Sequence, residues 1–382
     1  MPASDAAVRL TVDQAKQLIV EKANAGDFEG ALQMALAVCN AVPDDLDALE
    51  LAGAIAGNGG YYENAVDCFQ ALIDRQPANR DHHDKLIRTL MVHDRASGRL
   101  KAAAERALAA VGPDAPFHHA LAVAHAEAGA HAEAVAAFAA AVELAPDFVQ
   151  AHRAMSAPLL AIGRGEDTVA AFSRSLAPWD GSPPPADASA TDYDALAAGY
   201  DGNALHRRFA ECLGAVFLPV IEGRDDLRVL DIGCGTGAVG DLLKGRTAGL
   251  AGVDLAPGMI AAAAAKGLYD DLRQGDMAAV MAELDGPFDL ITSSCALYHL
   301  ADLAKVFAEA RRLLAPGGIF AVSVDPAADD MEIGVSEPGE YAHSRRYLRI
   351  LAQAQGFTEH EIRVIEHRRF PGFGCVFFKE VE

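Results

Sequence analysis

The stretch Val229-Leu230-Asp231-Ile232-Gly233-Cys234-Gly235-Thr236-Gly237 decides the interpretation of the C-terminal half of the chain. Its first four residues are typical of a buried strand. The three glycines, at alternate positions, allow a sharp turn and let a ligand lie against bare backbone. A helix is predicted from about 238 to 244. Because open α/β sheets bind ligands at the carboxyl ends of their strands, this loop is the predicted ligand site.

The loop also satisfies the pattern G-x-G-x-x-G/A, so a dinucleotide has to be weighed as its ligand. Two features oppose that alternative. Asp231 stands just before the first glycine, where its negative charge would face a pyrophosphate, whereas it suits a cationic amino group. The motif also lies in the middle of the chain, and no substrate domain of the dehydrogenase type follows it.

Strands and helices alternate on both sides of this loop. Strands are predicted at Arg228–Ile232, Gly249–Asp254, Leu272–Gln274, Phe288–Ser293, Ile319–Val324, Glu361–Phe370 and Cys375–Lys379, with helices between most of them. This order predicts a Rossmann-like α/β fold with a mostly parallel seven-stranded sheet. Since no helix-length segment separates the last two strands, they are expected to pair as a hairpin, which leaves one strand antiparallel.

Acidic and apolar residues follow the predicted strand ends in chain order. Asp254, 23 residues after Asp231, suits contact with ribose hydroxyls. Asp276 is placed to accept from an adenine amino group, and the fourth strand leads to Cys295 at the ligand's reactive end. The predicted cofactor contacts are Asp231, Gly233, Cys234, Gly235, Gly237, Asp254, Leu255, Met259, Asp276, Met277, Cys295, Tyr193 and Tyr200.

The first half of the chain repeats itself with a period near 34 residues. Prolines fall at 43, 77, 113, 146 and 178, and glycines fall at 26, 60, 98, 129 and 163. Aligned on the glycine, the segments GDFEGALQMAL, GYYENAVDCFQAL, GRLKAAAERAL, GAHAEAVAAFAAAV and GRGEDTVAAFSRSL superpose. A small residue or threonine five positions after each glycine lets two helices approach closely. This layout is typical of tetratricopeptide repeats, which stack into an all-α solenoid with a concave binding surface.

The predicted organisation therefore has three parts. A tetratricopeptide-repeat domain of about five repeats covers 10–178, a linker rich in proline and alanine covers 179–192, and the α/β domain covers 193–382. The linker is expected to be partly extended at Pro183–Pro185. The single tryptophan, Trp179, is expected to cap the last repeat rather than touch a ligand.

Composition narrows the functional classes. The formal charge of −22, from 32 basic and 54 acidic residues, argues against a nucleic-acid or anionic-membrane binder. Six scattered cysteines lack zinc-ribbon spacing, so we predict free thiols and no metal. The pairs His82–His83 and His118–His119 are assigned to a solvated face of the repeats. With neither a signal peptide nor a membrane span recognised, a cytoplasmic protein is expected.

The motifs of residues 193–380, taken in order, resemble class I S-adenosylmethionine-dependent methyltransferases. The resemblance rests on the acidic glycine loop, the acid at 254, Gly275-Asp276, the strand FDLI and the turn LAPGG. A finer resemblance, carried by YDALAAGYD, KGLYDDL and YAHSRRYLRILAQAQGF, is to bacterial predicted methyltransferases with N-terminal tetratricopeptide repeats. It implies a methyltransferase fold with S-adenosylmethionine as cofactor and S-adenosylhomocysteine as product, but no acceptor.

Residues near the cofactor's reactive end are candidates for the acceptor site. Methyl transfer mainly requires alignment and exclusion of water, and a base is needed only if the acceptor must lose a proton. Tyr193 and Tyr200 are candidates for a lid, and the segment Asp325–Tyr347 for the opposite wall. The catalytic candidates are Tyr298, His299 and His343, and the acceptor-binding candidates are Tyr341, Arg345 and Arg346.

Three functional hypotheses remain open at this stage. In the first, a methyltransferase uses its repeats to recruit a protein, either as substrate or as partner. In the second, the acceptor is a small molecule, such as a carboxylate or a hydroxyl compound, and the repeats serve assembly. The third is a non-enzymatic scaffold that senses S-adenosylmethionine, which the intact glycine loop and acids oppose.

Overall fold

The computed structural model describes residues 10–184, 191–368 and 370–381. The chain divides into two compact units, Met1–Ala154 and Met155–Glu382. This division falls within the helix Val149–Ala161, earlier than the domain bounds predicted from sequence. Part of the predicted linker, 185–190 with Pro185, lies outside the described residues, as do residues 1–9 at the N-terminus.

The first unit consists of consecutive helices. They are α1 (Val12–Asn24), α2 (Phe28–Ala41), α3 (Leu46–Asn58), α4 (Tyr62–Arg75), α5 (Arg80–His93), α6 (Arg99–Val111), α7 (Ala115–Glu127), α8 (His131–Leu144) and α9 (Val149–Ala161), whose end enters the second unit. The repeat glycines stand between paired helices with φ from 72° to 85°, a region that favours glycine. Ala31, Ala65 and Ala134 are fully buried. The helical repeats predicted from the sequence are thus confirmed.

Side chains at the starts of the first helices of the repeats explain where those helices begin. Asp45, Asn79 and Asp114 each accept a hydrogen bond from a backbone amide of the first turn, which satisfies otherwise unpaired donors. The solvated face assigned to the histidine pairs is wrong for His82 and His83, which are buried. The ring of His83 bonds to the carbonyl of Pro77 at 2.8 Å, so it is part of the repeat interior.

The second unit is built around a sheet. Its strands are β1 (Ala177–Pro178), β2 (Leu227–Ile232), β3 (Thr247–Asp254), β4 (Asp271–Gln274), β5 (Phe288–Ser293), β6 (Leu314–Ala327), β7 (Ile333–Glu337), β8 (Glu340–Ser344), β9 (Phe357–His367) and β10 (Phe370–Lys379). The order β4-β3-β2-β5-β6-β10-β9 contains the seven predicted strands, and β10 is antiparallel to both of its neighbours. The predicted class and the single antiparallel strand of this seven-stranded core are confirmed.

Helices cover the sheet and connect its strands. They are α10 (Gly165–Ser173), α11 (Tyr193–Tyr200), α12 (Ala204–Phe217), α13 (Ala238–Leu242), α14 (Pro257–Lys266), α15 (Met277–Glu283), α16 (Ala304–Leu313) and α17 (Arg345–Ala354), with short 3-10 turns at Leu218–Ile221 and Leu297–His299. Buried residues of β2, β5 and β6 form the core together with Phe307 and Leu313 of α16. Because β2 to β6 run parallel to one another, their carboxyl ends lie at the same edge of the sheet.

Three strands were not predicted, and they extend the sheet beyond β6. β8 runs parallel to β6, and β7 and β1 continue the extension in antiparallel pairs. The segment expected to form only a wall after the fifth strand thus folds as a β-hairpin. Trp179 does not cap the last repeat: its amide donates to the carbonyl of Ile333, and its ring faces Tyr341 edge-on at 6.2 Å.

The helix α10, which the repeat pattern assigned to the last repeat, belongs to the second unit. Phe172 is fully buried and its ring lies 5.6 Å from that of Phe370. The hydroxyl of Ser173 accepts a hydrogen bond from the amide of Ala328 at 2.6 Å. Among the described residues, no helix combines the length and apolar character required to cross a membrane.

Candidate active site

The glycine loop after β2 holds its shape through positive φ angles, 70° at Gly233, 53° at Gly235 and 90° at Gly237. A Cβ at Gly233 would lie 2.3 Å from the Cβ of Ala296, so packing alone requires glycine there. A Cβ at Gly235 would meet nothing within 4 Å. The bare backbone at Gly235 therefore faces open space, as a ligand-binding loop requires.

Asp231, at the end of β2, is 1% exposed. Its Oδ2 accepts a hydrogen bond from the hydroxyl of Tyr269 at 2.8 Å, and its Oδ1 has no hydrogen-bond partner among the described residues. Burial raises the pKa of this carboxyl to about 7, although the Tyr269 bond opposes the shift. A buried carboxylate with a free oxygen suits a cationic partner. The role of Tyr269 was not predicted from the sequence.

Asp254, at the end of the neighbouring strand β3, faces the same loop. Its Oδ2 accepts from the amide of Gly235 at 2.8 Å, and its Oδ1 accepts from the amide of Ala256 at 2.9 Å. The adjacent Leu255 is 71% exposed. The carboxylate and the exposed leucine together form an edge with both polar and apolar character.

The other predicted cofactor residues divide into exposed and buried groups. Asp276 is exposed and caps α15, accepting from the amide of Ala279 at 2.9 Å, with half-buried Met277 beside it. Met259 is 1% exposed and Cys234 is 6% exposed. These two side chains are therefore packed beneath the surface of the site and do not line it. Burial raises the pKa of the Cys234 thiol.

Hydrogen bonds connect α11, and the residue after it, to the first turn of α14 and to the loop that follows β2. Asp194 accepts a hydrogen bond from the amide of Gly258 at 2.6 Å. The hydroxyl of Thr236 donates to Asp201, just beyond the helix, at 2.6 Å. These two contacts place α11 beside the carboxyl edge of the sheet, where a lid was predicted.

Aromatic side chains meet beside this edge. The hydroxyl of Tyr193 lies 2.7 Å from the hydroxyl of Tyr298 and 3.0 Å from Nε2 of His299. The structure thus brings together three residues that the sequence singled out, and we call them the tyrosine–histidine cluster. Tyr200 stacks on His206 with ring centroids 3.6 Å apart. Burial lowers the pKa of His299, and the positive charge of Arg368 lowers it further.

Four charged or ionisable residues next to this cluster were missed by sequence reasoning. His367 Nδ1 lies 2.7 Å from Asp325 Oδ1, and both side chains are buried. Arg368 donates to Asp325 and to both oxygens of Glu340, and its guanidinium lies 3.4 Å from the ring centroid of Tyr298. The sequence signals were an acid directly after the fifth strand and the run His-Arg-Arg-Phe at 367–370, which no common motif contains.

Cys295 connects the two groups. It follows β5 with a φ of 54°, and its amide donates to the hydroxyl of Ser323 at 3.0 Å. Burial opposes the protonation of His367, but the Cys295 and Asp325 side chains outweigh it and raise the pKa of His367 to about 9. Cys295 is near enough for that effect, although His367 Nε2 makes no hydrogen bond of normal geometry to a described residue.

His343 and Tyr341 do not join the tyrosine–histidine cluster. His343 is fully buried on β8, and its Nε2 lies 3.0 Å from the carbonyl oxygen of Ala301. Burial lowers its pKa to about 4. Tyr341 is 4% exposed. These positions favour packing over the catalytic and acceptor-binding roles predicted for them, because β8 lies inside the sheet extension.

The two predicted acceptor arginines are already paired. Arg345 forms two hydrogen bonds of 2.8 Å to Glu166 of α10, and its guanidinium lies 4.4 Å from the ring centroid of Phe373. Arg346 lies 3.3 Å from Glu332 and is mostly exposed. Neither guanidinium is thereby placed to clamp an acceptor carboxylate. Within the described parts of the chain, no cluster of three or more potential metal ligands occurs.

Comparison with known proteins agrees with this geometry. Residues 230–322 match the family model of a methyltransferase domain, and residues 115–148 match that of a tetratricopeptide repeat. The malonyl-[acyl-carrier protein] O-methyltransferase of Geobacter sulfurreducens is 38% identical over 112 residues, 27% of this chain and 40% of that protein. The ubiquinone biosynthesis O-methyltransferase of Xanthomonas oryzae pv. oryzae is 34% identical over 113 residues, 28% of this chain and 47% of that protein.

The chain thus spans less than half the length of these curated relatives. Among solved structures, MamA covers 41% of this chain and 91% of its own, with 20% identity and a TM-score of 0.37. Magnesium protoporphyrin IX methyltransferase from Synechocystis PCC 6803, with bound SAH, matches over 46% of this chain and 84% of its own chain, with 17% identity and a TM-score of 0.38. The chain thus combines helical repeats, of which residues 115–148 match the tetratricopeptide-repeat model, with an α/β domain whose residues 230–322 match the methyltransferase-domain model.

Proposed function

We propose that the chain is an S-adenosylmethionine-dependent methyltransferase. The observation that carries the proposal is the pair of carboxylates on either side of the glycine loop. Asp231 offers a buried oxygen that has no partner in the described parts of the chain, and Asp254 stands at the end of the next strand. When bound, S-adenosylmethionine supplies a methyl group on an activated sulfonium carbon, and S-adenosylhomocysteine is the product.

The residues present fit this cofactor. Asp231 would hold the cationic amino group, and Asp254 would hold the ribose hydroxyls. Leu255, Asp276 and Met277 would contact the adenine. The open space at Gly235 supports this assignment, because a larger residue would place a side chain where the ligand backbone contact is needed.

The chain's own contribution to the reaction is alignment and exclusion of water. Tyr193 on α11 reaches Tyr298 and His299, so this helix would cover the reactive end of the site. Tyr200 would cover the cofactor on the same side. Tyr298 and His299 would border the acceptor.

The acceptor and the role of the repeats are further parts of the proposal. Both curated relatives named above are O-methyltransferases by name, which supports an oxygen atom as acceptor. The repeats would recruit a protein, as substrate or partner; the alternative is a small-molecule acceptor with repeats used for assembly. The scaffold alternative has no support from the site, since its acids are intact. The cysteines are unpaired, which supports the expected cytoplasmic location.

Equilibrium dialysis with tritiated S-adenosylmethionine tests the central claim. Asp254→Ala should weaken binding about 100-fold, since two charged hydrogen bonds are worth about 3 kcal/mol together. Asp271→Ala is the matched control, because that half-exposed acid pairs with Arg273 and lies at the amino end of β4, opposite the loop; this variant should bind within twofold of the natural chain. The proposal is wrong if the natural chain does not bind the cofactor.

Labelling of a cell lysate separates the two kinds of acceptor. The full-length chain is incubated with lysate and tritiated S-adenosylmethionine, and macromolecules are then precipitated with acid. Label in a precipitated protein, released by protease, would support recruitment of a protein substrate by the repeats. Label confined to the soluble low-mass fraction would support the small-molecule alternative.

A further inference from the structure

The pair formed by Asp325 and His367 has the geometry of an oriented base. An ionised carboxylate only accepts hydrogen bonds, so the 2.7 Å contact requires the proton on Nδ1 of His367. Hydrogen bonds from His367 and Arg368 overcome the effect of burial and hold the pKa of Asp325 below its ordinary value. In the neutral ring, Nε2 is then the acceptor; it makes no hydrogen bond of normal geometry to a described residue, although the Cys295 side chain is close enough to raise the pKa of the ring.

The surroundings of Nε2 place it at the reactive end of the proposed cofactor site. The ring of Tyr298 lies edge-on to the ring of His367, with centroids 6.1 Å apart. Cys295, which follows β5 at the same sheet edge, interacts with His367. Tyr193 covers Tyr298 from α11, a helix outside the sheet. Because Nε2 is buried, an acceptor would have to displace Tyr193 in order to lie between the aromatic rings and reach it.

The charge balance of the side chains around His367 bears on the class of acceptor. Asp325 and Glu340 carry two negative charges, and Arg368 donates to both of them. Because the pKa of His367 is raised to about 9, the group has no net charge while the ring is protonated, and it has a net charge of −1 once the ring has lost its proton to act as a base. The form with the neutral base would repel a carboxylate acceptor, and a carboxylate would not need a base. A neutral acceptor that must lose a proton would need one.

We infer that His367, oriented by Asp325, removes the proton from an aromatic hydroxyl group that is methylated between Tyr193, Tyr298 and Cys295. This inference rests on the proposed function and names its acceptor class. The hydroxyl proton passes to Nε2 of His367, and the oxygen forms the bond to the methyl carbon. The carbon–sulfur bond of the donor breaks with its electron pair on sulfur, and the imidazolium later releases its proton to water.

Two probes with the same ring test the acceptor class: catechol, which must lose a proton, and benzoate, which is already ionised. The full-length chain should methylate catechol and not benzoate. The logarithm of kcat should rise with pH with a slope of one and level off where His367 has lost its proton, since the base must be neutral. Methylation of benzoate as fast as catechol would overturn the inference.

The variant His367→Gln should lower kcat for catechol by at least 100-fold, remove the ascending limb of the pH profile, and leave the dissociation constant of S-adenosylmethionine within twofold. His152→Gln is the matched control, because His152 is equally buried and bonds only to a backbone carbonyl, that of Pro146. An unchanged kcat in His367→Gln would overturn the inference. Cofactor binding serves as the check that the variant is folded.

Nitrogen NMR of the histidine rings provides a second measurement that does not depend on turnover. With S-adenosylmethionine bound, catechol should shift the Nε2 signal of His367, and Asp325→Asn should remove the Nδ1–H form that catechol meets. If the cofactor binds but catechol neither shifts this signal nor is methylated, the inference is overturned and the proposed function stands. If the cofactor does not bind, the proposed function itself has failed.

Discussion

Replacement of Asp231 by asparagine separates two effects of this carboxyl group: the stability that the folded chain loses when the group ionises, and the affinity that the group gives for the cofactor. In the ligand-free protein the carboxyl is buried beside Tyr269, and its pKa is raised from 3.8 to about 7. Above pH 7, ionisation in the folded chain therefore costs about 4 kcal/mol relative to the unfolded chain. Asparagine removes this cost and still accepts from Tyr269, but its buried amide lacks a partner, which costs about 1–3 kcal/mol.

The net effect of Asp231→Asn depends on pH in a way that a packing change does not. A raised carboxyl pKa gives stability that is present below the unfolded value and is lost as pH rises toward the folded value. The free energy of unfolding of the variant, minus that of the natural chain, should therefore increase by about 3 kcal/mol between pH 5 and pH 8. At pH 8 the ligand-free variant should be the more stable by about 1–3 kcal/mol.

Urea unfolding followed by tryptophan fluorescence measures this quantity. The chain has a single tryptophan, Trp179, and it lies in the second unit, so its signal reports that unit alone. Asp241→Asn, on the exposed face of α13, is the control and should change by less than about 0.5 kcal/mol between the two pH values. S-adenosylmethionine at 100 times its dissociation constant should add about 2.7 kcal/mol to the natural chain and nothing to the variant.

Two results would refute this reasoning about Asp231. A stability difference that does not change with pH would show that the carboxyl is not held against its ionisation in the folded chain. Unchanged cofactor affinity in Asp231→Asn would show that its unpartnered oxygen does not bind the amino group. Either result would remove the observation on which the proposed function depends.

The remaining predictions concern the loop and an ion pair. Gly235→Ala should lower the free energy of unfolding by about 1 kcal/mol, because the φ of this residue is 53°. It should also lower cofactor affinity at least tenfold in equilibrium dialysis, because the added Cβ enters the space proposed for the ligand. Gly233→Ala should instead lower the urea midpoint strongly, because its Cβ would clash with Ala296; equal midpoints for the two variants would contradict this. Glu166→Ala should lower the free energy of unfolding by less than about 1 kcal/mol, because the side chain is 77% exposed. Arg345→Ala should lower it by more, because the Arg345 side chain is only 17% exposed and packs against its neighbours. Equal losses in urea unfolding would contradict a packing role for Arg345.

The elements that the sequence predicted well are those specified by neighbouring residues. The strand Phe288–Ser293 was predicted with the bounds it has, since a short apolar run between turn residues is a local pattern. The glycine loop and the acids at 231 and 254 were likewise brought to one edge, because parallel strands place their carboxyl ends together. The repeat glycines were also recognised as turn positions from the sequence, because each of these turns needs a residue with positive φ.

The parts that were missed depend on pairings between distant residues. Asp325 and His367 are brought together only because β10 pairs with both β6 and β9, a register that no local pattern specifies. The pairing of Arg345, a predicted acceptor-binding residue, was missed for the same reason. Arg345 stands in a stretch rich in charge, but its partner Glu166 comes from α10, in a part of the sequence assigned to the repeats.

The position of α10 changes how the chain can be divided for experiment. Phe172 is a repeat residue by its spacing, yet it is fully buried among residues of the second unit, beside Phe370. Phe370 in turn follows the segment that carries His367 and Arg368. A fragment that begins at 190 would therefore expose the surface covered by α10 next to the proposed base. Loss of activity in such a fragment would not report on the repeats, whereas a substitution on an exposed repeat face in the full-length chain would.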